Sequence, residues 1–150
     1  MKAVNKIKLT LPSLSANEGF ARVAVGAFVS QLDPTVDELA DIKTAVSEAV
    51  TNAIVHGYRE KEGKIYITVS LYDNNIVRAK IRDKGIGIEN IEQAMQPLFT
   101  TGAENERSGM GFSFMEAFMD ELEVDSTPGE GTTIRMQKEI GYNPWIYEEE

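Results

Sequence analysis

The chain has 150 residues, 42% of them hydrophobic and 26% charged, which fits one domain with a sizeable core. A net charge of −9 argues against general affinity for nucleic acid or anionic membranes, because like charges repel. The lack of cysteine excludes disulfides and thiolate metal sites. No apolar run reaches membrane-spanning length and no signal peptide is evident, so we expect a cytoplasmic protein.

The first part of the chain predicts a strand followed by a helix. Residues 6–11 alternate between polar and apolar, which is typical of a strand with one buried face. Ser15 and Glu18 have the spacing of a capping box, so a helix is expected from there to about residue 31. Asp33-Pro34 should end that helix.

A second helix is expected to open at residues 35–38, which repeat the capping-box spacing, and Gly57 can end it. Within it Glu48, Asn52 and His56 recur every four residues, so neighbours in this row lie on nearly the same side. A separate arc of the same helix is apolar and predicts its core face: Leu39, Ile42, Val46, Ala49, Val50 and Ala53.

The remainder of the chain predicts hairpins, loops and one more helix. The expected elements are strands 65–71 and 76–82, a glycine loop at 83–88, a short helix at 89–95, a helix at 112–121, and strands 122–126 and 132–138. Residues 96–110 form a long connection, and such connections are often lids or binding loops.

The order of these elements favours an α+β fold, a two-layer sandwich of a mixed β-sheet with helices on one face. No repeat or linker divides the chain, so we expect residues 1–140 to form a single domain. Residues 141–150 mix aromatic residues with three glutamates, and we expect a tail that is partly disordered or docked on a partner.

The pair Glu48 and Asn52 suggests metal and proton chemistry. An amide oxygen suits Mg²⁺, which takes few protein ligands besides water and substrate phosphates. A carboxylate one turn away can hold a metal-bound water or accept a proton from an attacking hydroxyl. A polar helix face that simply meets water would show the same spacing, so the spacing alone does not decide. His56, the only histidine, fits an interaction at the helix end better than catalysis.

The loop that begins at Asp83 carries two glycines, Gly85 and Gly87, directly after a predicted strand. Glycines let a backbone pass close to a ligand, and an aspartate at a strand end can accept a hydrogen bond from an exocyclic amine. A plain Asp-Gly turn is the alternative. The turn at 127–133, which includes Thr132, is expected to be a tight turn in which any ligand contact is secondary.

A second glycine pair, Gly109 and Gly111, leads into the last predicted helix. Backbone amides at a helix N-terminus bind phosphate oxygens, and Arg107 stands close enough in sequence to reach a terminal phosphate. The alternatives are a flexible connection and a surface arginine.

Taken in order, Glu-x3-Asn on a helix, Asp-x-Gly-x-Gly after a strand and Gly-x-Gly entering a helix resemble a known superfamily. It is the ATPase and kinase superfamily of gyrase, Hsp90, histidine kinases and MutL, and the resemblance spans residues 6–139. Residues 18–22, 47–57, 96–101 and 106–112 are further similar to the anti-sigma F factor family of sporulating bacteria.

The resemblance implies a Bergerat-type ATP-binding fold and a role for each matched residue. Asn52 would ligate Mg²⁺ that bridges the phosphates of ATP, and Glu48 would be the general base on a substrate serine. Asp83 would read the adenine amine, while Gly85 and Gly87 would let the base and ribose lie against backbone.

The resemblance also implies that a lid closes over the phosphates. Gly109 and Gly111 would wrap them, Arg107 would contact the γ-phosphate, and Arg22 on the first helix would belong to a sigma-binding surface. The further nucleotide contacts that it implies are Thr100, Thr101, Ser108, Met110 and Thr132.

The function implied is that of a homodimeric protein serine kinase that binds ATP or ADP with Mg²⁺. It would inhibit a sigma factor of the sigma F type and phosphorylate its anti-anti-sigma factor, without contacting nucleic acid or membrane. A similar protein for a stress-response sigma factor, and a catalytically silent ATP-gated binding module, are the alternatives. The detached domain of a sensor histidine kinase is disfavoured, since the only histidine lies in the ATP-site helix.

Overall fold

A computed structural model describes residues 2–96 and 111–141. Its elements are β1 Ala3–Pro12, α1 Ala16–Val29, a 3₁₀ turn Ser30–Leu32, α2 Val36–Asn52, a π-helical turn Ala53–Gly57, β2 Lys64–Tyr72, β3 Ile76–Asp83, α3 Ile91–Ala94, α4 Gly111–Phe118, β4 Glu121–Thr127 and β5 Gly131–Glu139. Each predicted helix and strand is present, with ends shifted by a few residues. Most of the expected lid and the tail after Gly141 lie outside the described residues.

The five strands form one sheet in the order β1-β2-β3-β5-β4, and the α+β fold class is confirmed. All four neighbouring pairs are antiparallel, so the expectation of a mixed sheet was wrong. The reason is topological: the β4–β5 hairpin places β5 between β3 and β4. β3 and β4 run in the same direction, but they are separated by β5 and do not pair, so the sheet contains no parallel pair.

The core lies between one face of the sheet and three helices, with α2 in the centre and α1 and α4 on either side of it. Every second residue of β2 and β3 points into this core, which gives the strict alternation that the sequence shows. The predicted apolar arc of α2 is buried except for Leu39, which is half-buried. Within the described ranges, none of the helices is long and apolar enough to cross a membrane.

The capping box predicted at the start of α2 is present. The Glu38 backbone N–H donates to Thr35 Oγ1 at 3.1 Å, and the Thr35 N–H donates to Glu38 Oε1 at 2.8 Å. Both bonds satisfy backbone donors that a helix start would otherwise leave unpaired.

The capping box predicted at the start of α1 is not formed. Ser15 has helical rather than extended dihedrals, and its side chain makes no capping bond. The Glu18 carboxylate is instead turned toward α2, where Oε2 accepts a bond from Ser47 Oγ at 2.8 Å, and the same oxygen accepts a bond from Arg22 Nε within α1 at 3.1 Å. The box was wrong because a tertiary contact between α1 and α2 outcompetes the local one.

We predict that Thr35→Ala lowers the free energy of unfolding by about 1 kcal/mol, the usual contribution of an N-cap side chain. Ser15→Ala is the matched control and should leave stability unchanged, since the Ser15 side chain caps nothing. Urea denaturation of both variants measures the difference. Equal losses in the two variants would contradict the assignment of the caps.

Candidate functional site

A cavity of about 940 Å³ opens where the end of α2, the loop after β3, the start of α4 and the β4–β5 turn meet. The predicted site residues that line it are Glu48, Asn52, Gly85, Gly87 and Gly111. The fold therefore gathers three separate sequence motifs at a single concave surface, which is the usual setting of a small-molecule site.

The polar row of α2 forms one wall of this cavity. Glu48 is only 8% exposed and Asn52 is half-buried, so this is not the solvent-facing helix surface that the spacing alone also allowed. A Cβ atom at Gly111 would lie 3.2 Å from Glu48 Oε2. The first residue of α4 thus leaves room for the carboxylate, and the positive end of the helix dipole favours a negative charge there.

The last turn before β2 is π-helical and carries His56 and Gly57. The Tyr58 N–H donates to the Ala53 carbonyl at 2.8 Å, a bond that spans five residues instead of four. The Gly57 carbonyl then accepts the Ile86 N–H at 2.9 Å, which joins α2 to the loop after β3. His56 borders the cavity in this turn. Such wide turns occur often at functional sites.

The glycines of this region are required by backbone packing. A Cβ atom at Gly85 would lie 2.0 Å from the Gly57 carbonyl oxygen, and one at Gly57 would lie 2.9 Å from the Asp83 carboxylate. Gly87 has a positive φ of 76° and sits against the Thr127 carbonyl. The glycine loop is therefore held from both sides, by α2 and by the β4–β5 turn.

Asp83 ends β3 directly behind this loop and is 3% exposed. Its Oδ1 accepts the Gly85 N–H at 2.9 Å, and the backbone of Thr132 forms a second hydrogen bond to the carboxylate. Burial raises the pKa of Asp83 above 3.8, and these two hydrogen bonds only partly offset that effect. A buried carboxylate of this kind is a strong acceptor for a ligand's N–H group.

Sequence reasoning missed two hydroxyl groups that fix the loop. Tyr58 Oη accepts the Lys84 N–H at 2.8 Å, and Ser126 Oγ accepts the Ile88 N–H at 2.7 Å. Ser126 Oγ also lies 2.8 Å from Thr132 Oγ1, so the Thr132 hydroxyl is held behind the cavity wall and is not among its lining groups. The only signal for Tyr58 was its position next to Gly57, since its partner is 26 residues away.

The remaining predicted residues lie elsewhere. Arg22 lies outside the cavity lining on α1, a helix that also carries the exposed side chains of Phe20 and Val23. The residues of the expected lid fall outside the described part of the chain: Thr100, Thr101, Arg107, Ser108, Gly109 and Met110.

Comparison with known proteins defines the class first. A model of the histidine kinase-like ATPase domain matches residues 11–138. The catalytic domain of the histidine kinase ThkA superposes with a TM-score of 0.55 at 18% identity, covering 91% of this chain and 97% of that one. The RsbU and RsbW domains of a Mycobacterium tuberculosis protein give 0.67 at 22% identity, covering 91% of this chain and 33% of that one. These structures share the fold.

Sequence relatives narrow the class. The anti-sigma F factor of Bacillus subtilis is 59% identical over 137 residues, which cover 91% of this chain and 93% of that protein. The anti-sigma F factor of Caldanaerobacter subterraneus is 58% identical over 143 residues, covering 95% and 99%. The chain belongs to the anti-sigma F factor family of histidine kinase-like ATPase domains.

We predict that Gly85→Ala destabilises the fold by about 1–3 kcal/mol, because the new methyl group must displace the Gly57 carbonyl. Gly19→Ala is the matched control. It adds the same group inside α1, where the nearest atom is 3.8 Å away, and should stabilise by about 0.5–1 kcal/mol. Thermal or urea unfolding reports both. An unchanged free energy of unfolding in Gly85→Ala would show that the backbones of Gly57 and Gly85 are not in contact.

We predict that Asp83→Asn does not lower stability at pH 7. The folded-state pKa of Asp83 is raised, so its charge destabilises the fold at neutral pH, and this penalty disappears as the pH falls through that raised pKa toward 3.8. The wild type should therefore gain stability relative to Asp83→Asn over that interval. Urea denaturation at a series of pH values measures this gain. A relative loss of wild-type stability on acidification would contradict it.

Proposed function

We propose that this chain is an anti-sigma factor and a protein serine kinase that uses ATP and Mg²⁺ and releases ADP. One observation carries the proposal: Glu48 and Asn52 face the same cavity, one turn apart, opposite the loop that follows Asp83. The relatives that match nearly the whole chain are named anti-sigma F factors, which supports the regulatory half of the proposal.

The cavity has features that suit a purine nucleotide. Gly85 and Gly87 present bare backbone to the cavity, where a flat ring can lie against it. Asp83 lies behind the cavity lining at this end, where its buried carboxylate would accept a hydrogen bond from an exocyclic amine. Gly111 begins α4 at the other end, and amides of a helix N-terminus suit phosphate oxygens. In this proposal Thr132 supports Asp83 through its backbone.

The donor set also suits Mg²⁺. Among residues 2–96 and 111–141 no group of three or more acidic or histidine side chains converges as a protein-only metal cage would require. Mg²⁺ characteristically keeps waters and substrate phosphates with one or two protein ligands. Asn52 would hold it through the amide oxygen, and the bound ion would neutralise developing phosphate charge.

Glu48 is the proposed general base. Its carboxylate lies in the cavity wall, largely shielded from water, where it can accept the proton of a substrate serine hydroxyl. The serine oxygen then bonds to the γ-phosphorus while the bond to ADP breaks. The lid contacts of Arg107, Gly109 and Met110 with the phosphates, and those of Thr100, Thr101 and Ser108, are part of the same proposal.

The proposed partner surface is on α1. Arg22 is exposed enough to meet a partner, and its Nε bond to Glu18 orients the guanidinium. Glu18 also bonds Ser47, the residue before Glu48, which links this surface to the catalytic helix. We propose that Arg22 contacts a sigma factor of the sigma F type, that an anti-anti-sigma factor is the substrate, and that the protein is a cytoplasmic homodimer.

Glu48→Gln should retain nucleotide binding but lose phosphoryl transfer by a factor of about 10²–10⁴, the usual contribution of a general base. Asn52→Ala should lose both phosphoryl transfer and Mg²⁺-dependent nucleotide binding. Phosphoryl transfer is measured as the label that passes from ATP, in the presence of Mg²⁺, to the purified anti-anti-sigma protein. Nucleotide binding is measured by equilibrium dialysis.

Glu116→Gln is the matched control, because Glu116 is exposed on α4 and should leave both quantities unchanged. Near-normal transfer by Glu48→Gln would reject Glu48 as the base. Binding without any phosphoserine in the wild type would favour the ATP-gated module over a kinase.

A further inference from the structure

The face of the sheet that points away from the helices, here called the open face, is basic across β1, β2 and β3. Its side chains alternate with those buried in the core, as the strand registers require. The exposed cations that it carries are Lys6, Lys8, Lys64, Arg78, Lys80 and Arg82. These three strands contribute no carboxylate to it, because their one acidic residue, Asp83, points inward. This is a marked separation in a chain of net charge −9.

Within the described part of the chain, most of these cations have no carboxylate partner. Across the described residues, no carboxylate lies within 4.0 Å of the charged groups of Lys6, Lys8, Lys80 or Arg82. The contrast is Arg135 on β5, which two carboxylates of β4 engage. Like charges on neighbouring strands repel, so an anionic segment laid across the open face would relieve that repulsion.

Aromatic rings on the same face contact one of its cations, Arg78, and the adjoining Lys84. The Arg78 guanidinium lies 5.2 Å from the Tyr72 ring centroid, and Lys84 Nζ lies 5.1 Å from that of Tyr66. Contacts of this kind show that the open face accommodates rings against its cations. A segment that combines aromatic and acidic side chains would match the face in both respects.

We propose that the open face binds the chain's own residues 142–150. This segment contains three aromatic residues, Tyr142, Trp145 and Tyr147, followed by the three glutamates of residues 148–150. Its glutamates would neutralise the unpaired cations of β1 and β3, and its rings would lie over the arginine and lysine stems. The proposal is independent of the kinase function.

The chain leaves β5 at a place from which this segment can reach the face. The Ile140 N–H donates to the Asn75 carbonyl at 2.8 Å, so the strand ends beside the β2–β3 turn. Gly141 follows with a positive φ of 80°, which allows a change of direction. Nine residues span up to roughly 30 Å when extended. The distance along β3 from Ile76 to Arg82 is only about 20 Å.

Tethering favours this occupant over an untethered one. A short flexible connection gives a linked segment an effective concentration on the order of millimolar, so weak pairings suffice. An untethered second copy carries Glu121, Glu123 and Asp125 of β4 on this same face, but it would meet the cations only at the far lower concentration of the protein in solution.

The test uses Trp145, the only tryptophan, as a reporter of the segment. In the full chain, Lys80→Glu combined with Arg82→Glu should shift the emission to longer wavelength and increase acrylamide quenching. Arg59→Glu combined with Lys61→Glu is the matched control, since it makes the same charge change on exposed residues away from the open face. Raising NaCl to about 1 M should reproduce the shift in the wild type by screening. Unchanged emission in the open-face variant would overturn the proposal.

A second measurement identifies the occupant. Because the chain has no cysteine, Lys80→Cys and Glu149→Cys together introduce one defined pair of thiols. Mild oxidation should give a disulfide within one chain, seen as a monomer of altered mobility whose yield does not depend on protein concentration. A covalent dimer, or no disulfide at all, would overturn intramolecular docking.

Discussion

The contact between the Gly57 carbonyl and the backbone of Gly85 is the constraint on which the site depends. It leaves no room for a side chain at Gly85, and the Ile86 N–H closes it with a hydrogen bond to the same carbonyl. This contact sets the end of α2 against the loop after β3. The position of Asn52 relative to Asp83 follows from it, because each lies only a few residues from the contact.

The same contact explains why Asp83 can be buried as a carboxylate. Gly57 packs so closely against the Asp83 carboxylate that no Cβ atom would fit between them. The Gly85 N–H donates one of the hydrogen bonds that the carboxylate accepts. Burial still raises the pKa of Asp83, so the site costs stability at neutral pH. A charge kept in place at such a cost is typical of functional positions, where the fold tolerates a local penalty for the sake of binding.

The acidic and basic residues of β1–β3 lie on opposite sides of the sheet. On the helix side of β1–β3 the one acidic residue, Asp83, is buried behind the cavity, and the charged residues on the outward side of these three strands are all cations. An acidic protein therefore exposes a basic surface. Net charge, read from composition, concealed this segregation because strand alternation sorts neighbouring residues onto opposite faces.

Local and periodic features were determined by the sequence itself. Thr35 and Glu38, three residues apart, cap each other. The burial patterns of α2 and the hairpin strands follow from residue spacing, so no distant residue is needed to predict any of these features. Tertiary structure decided the rest. Glu18 accepts a hydrogen bond from Ser47 instead of forming the predicted capping box. β5 pairs with β3, which makes the sheet antiparallel throughout. Those outcomes depend on competition between groups far apart in the chain, which only the folded packing resolves.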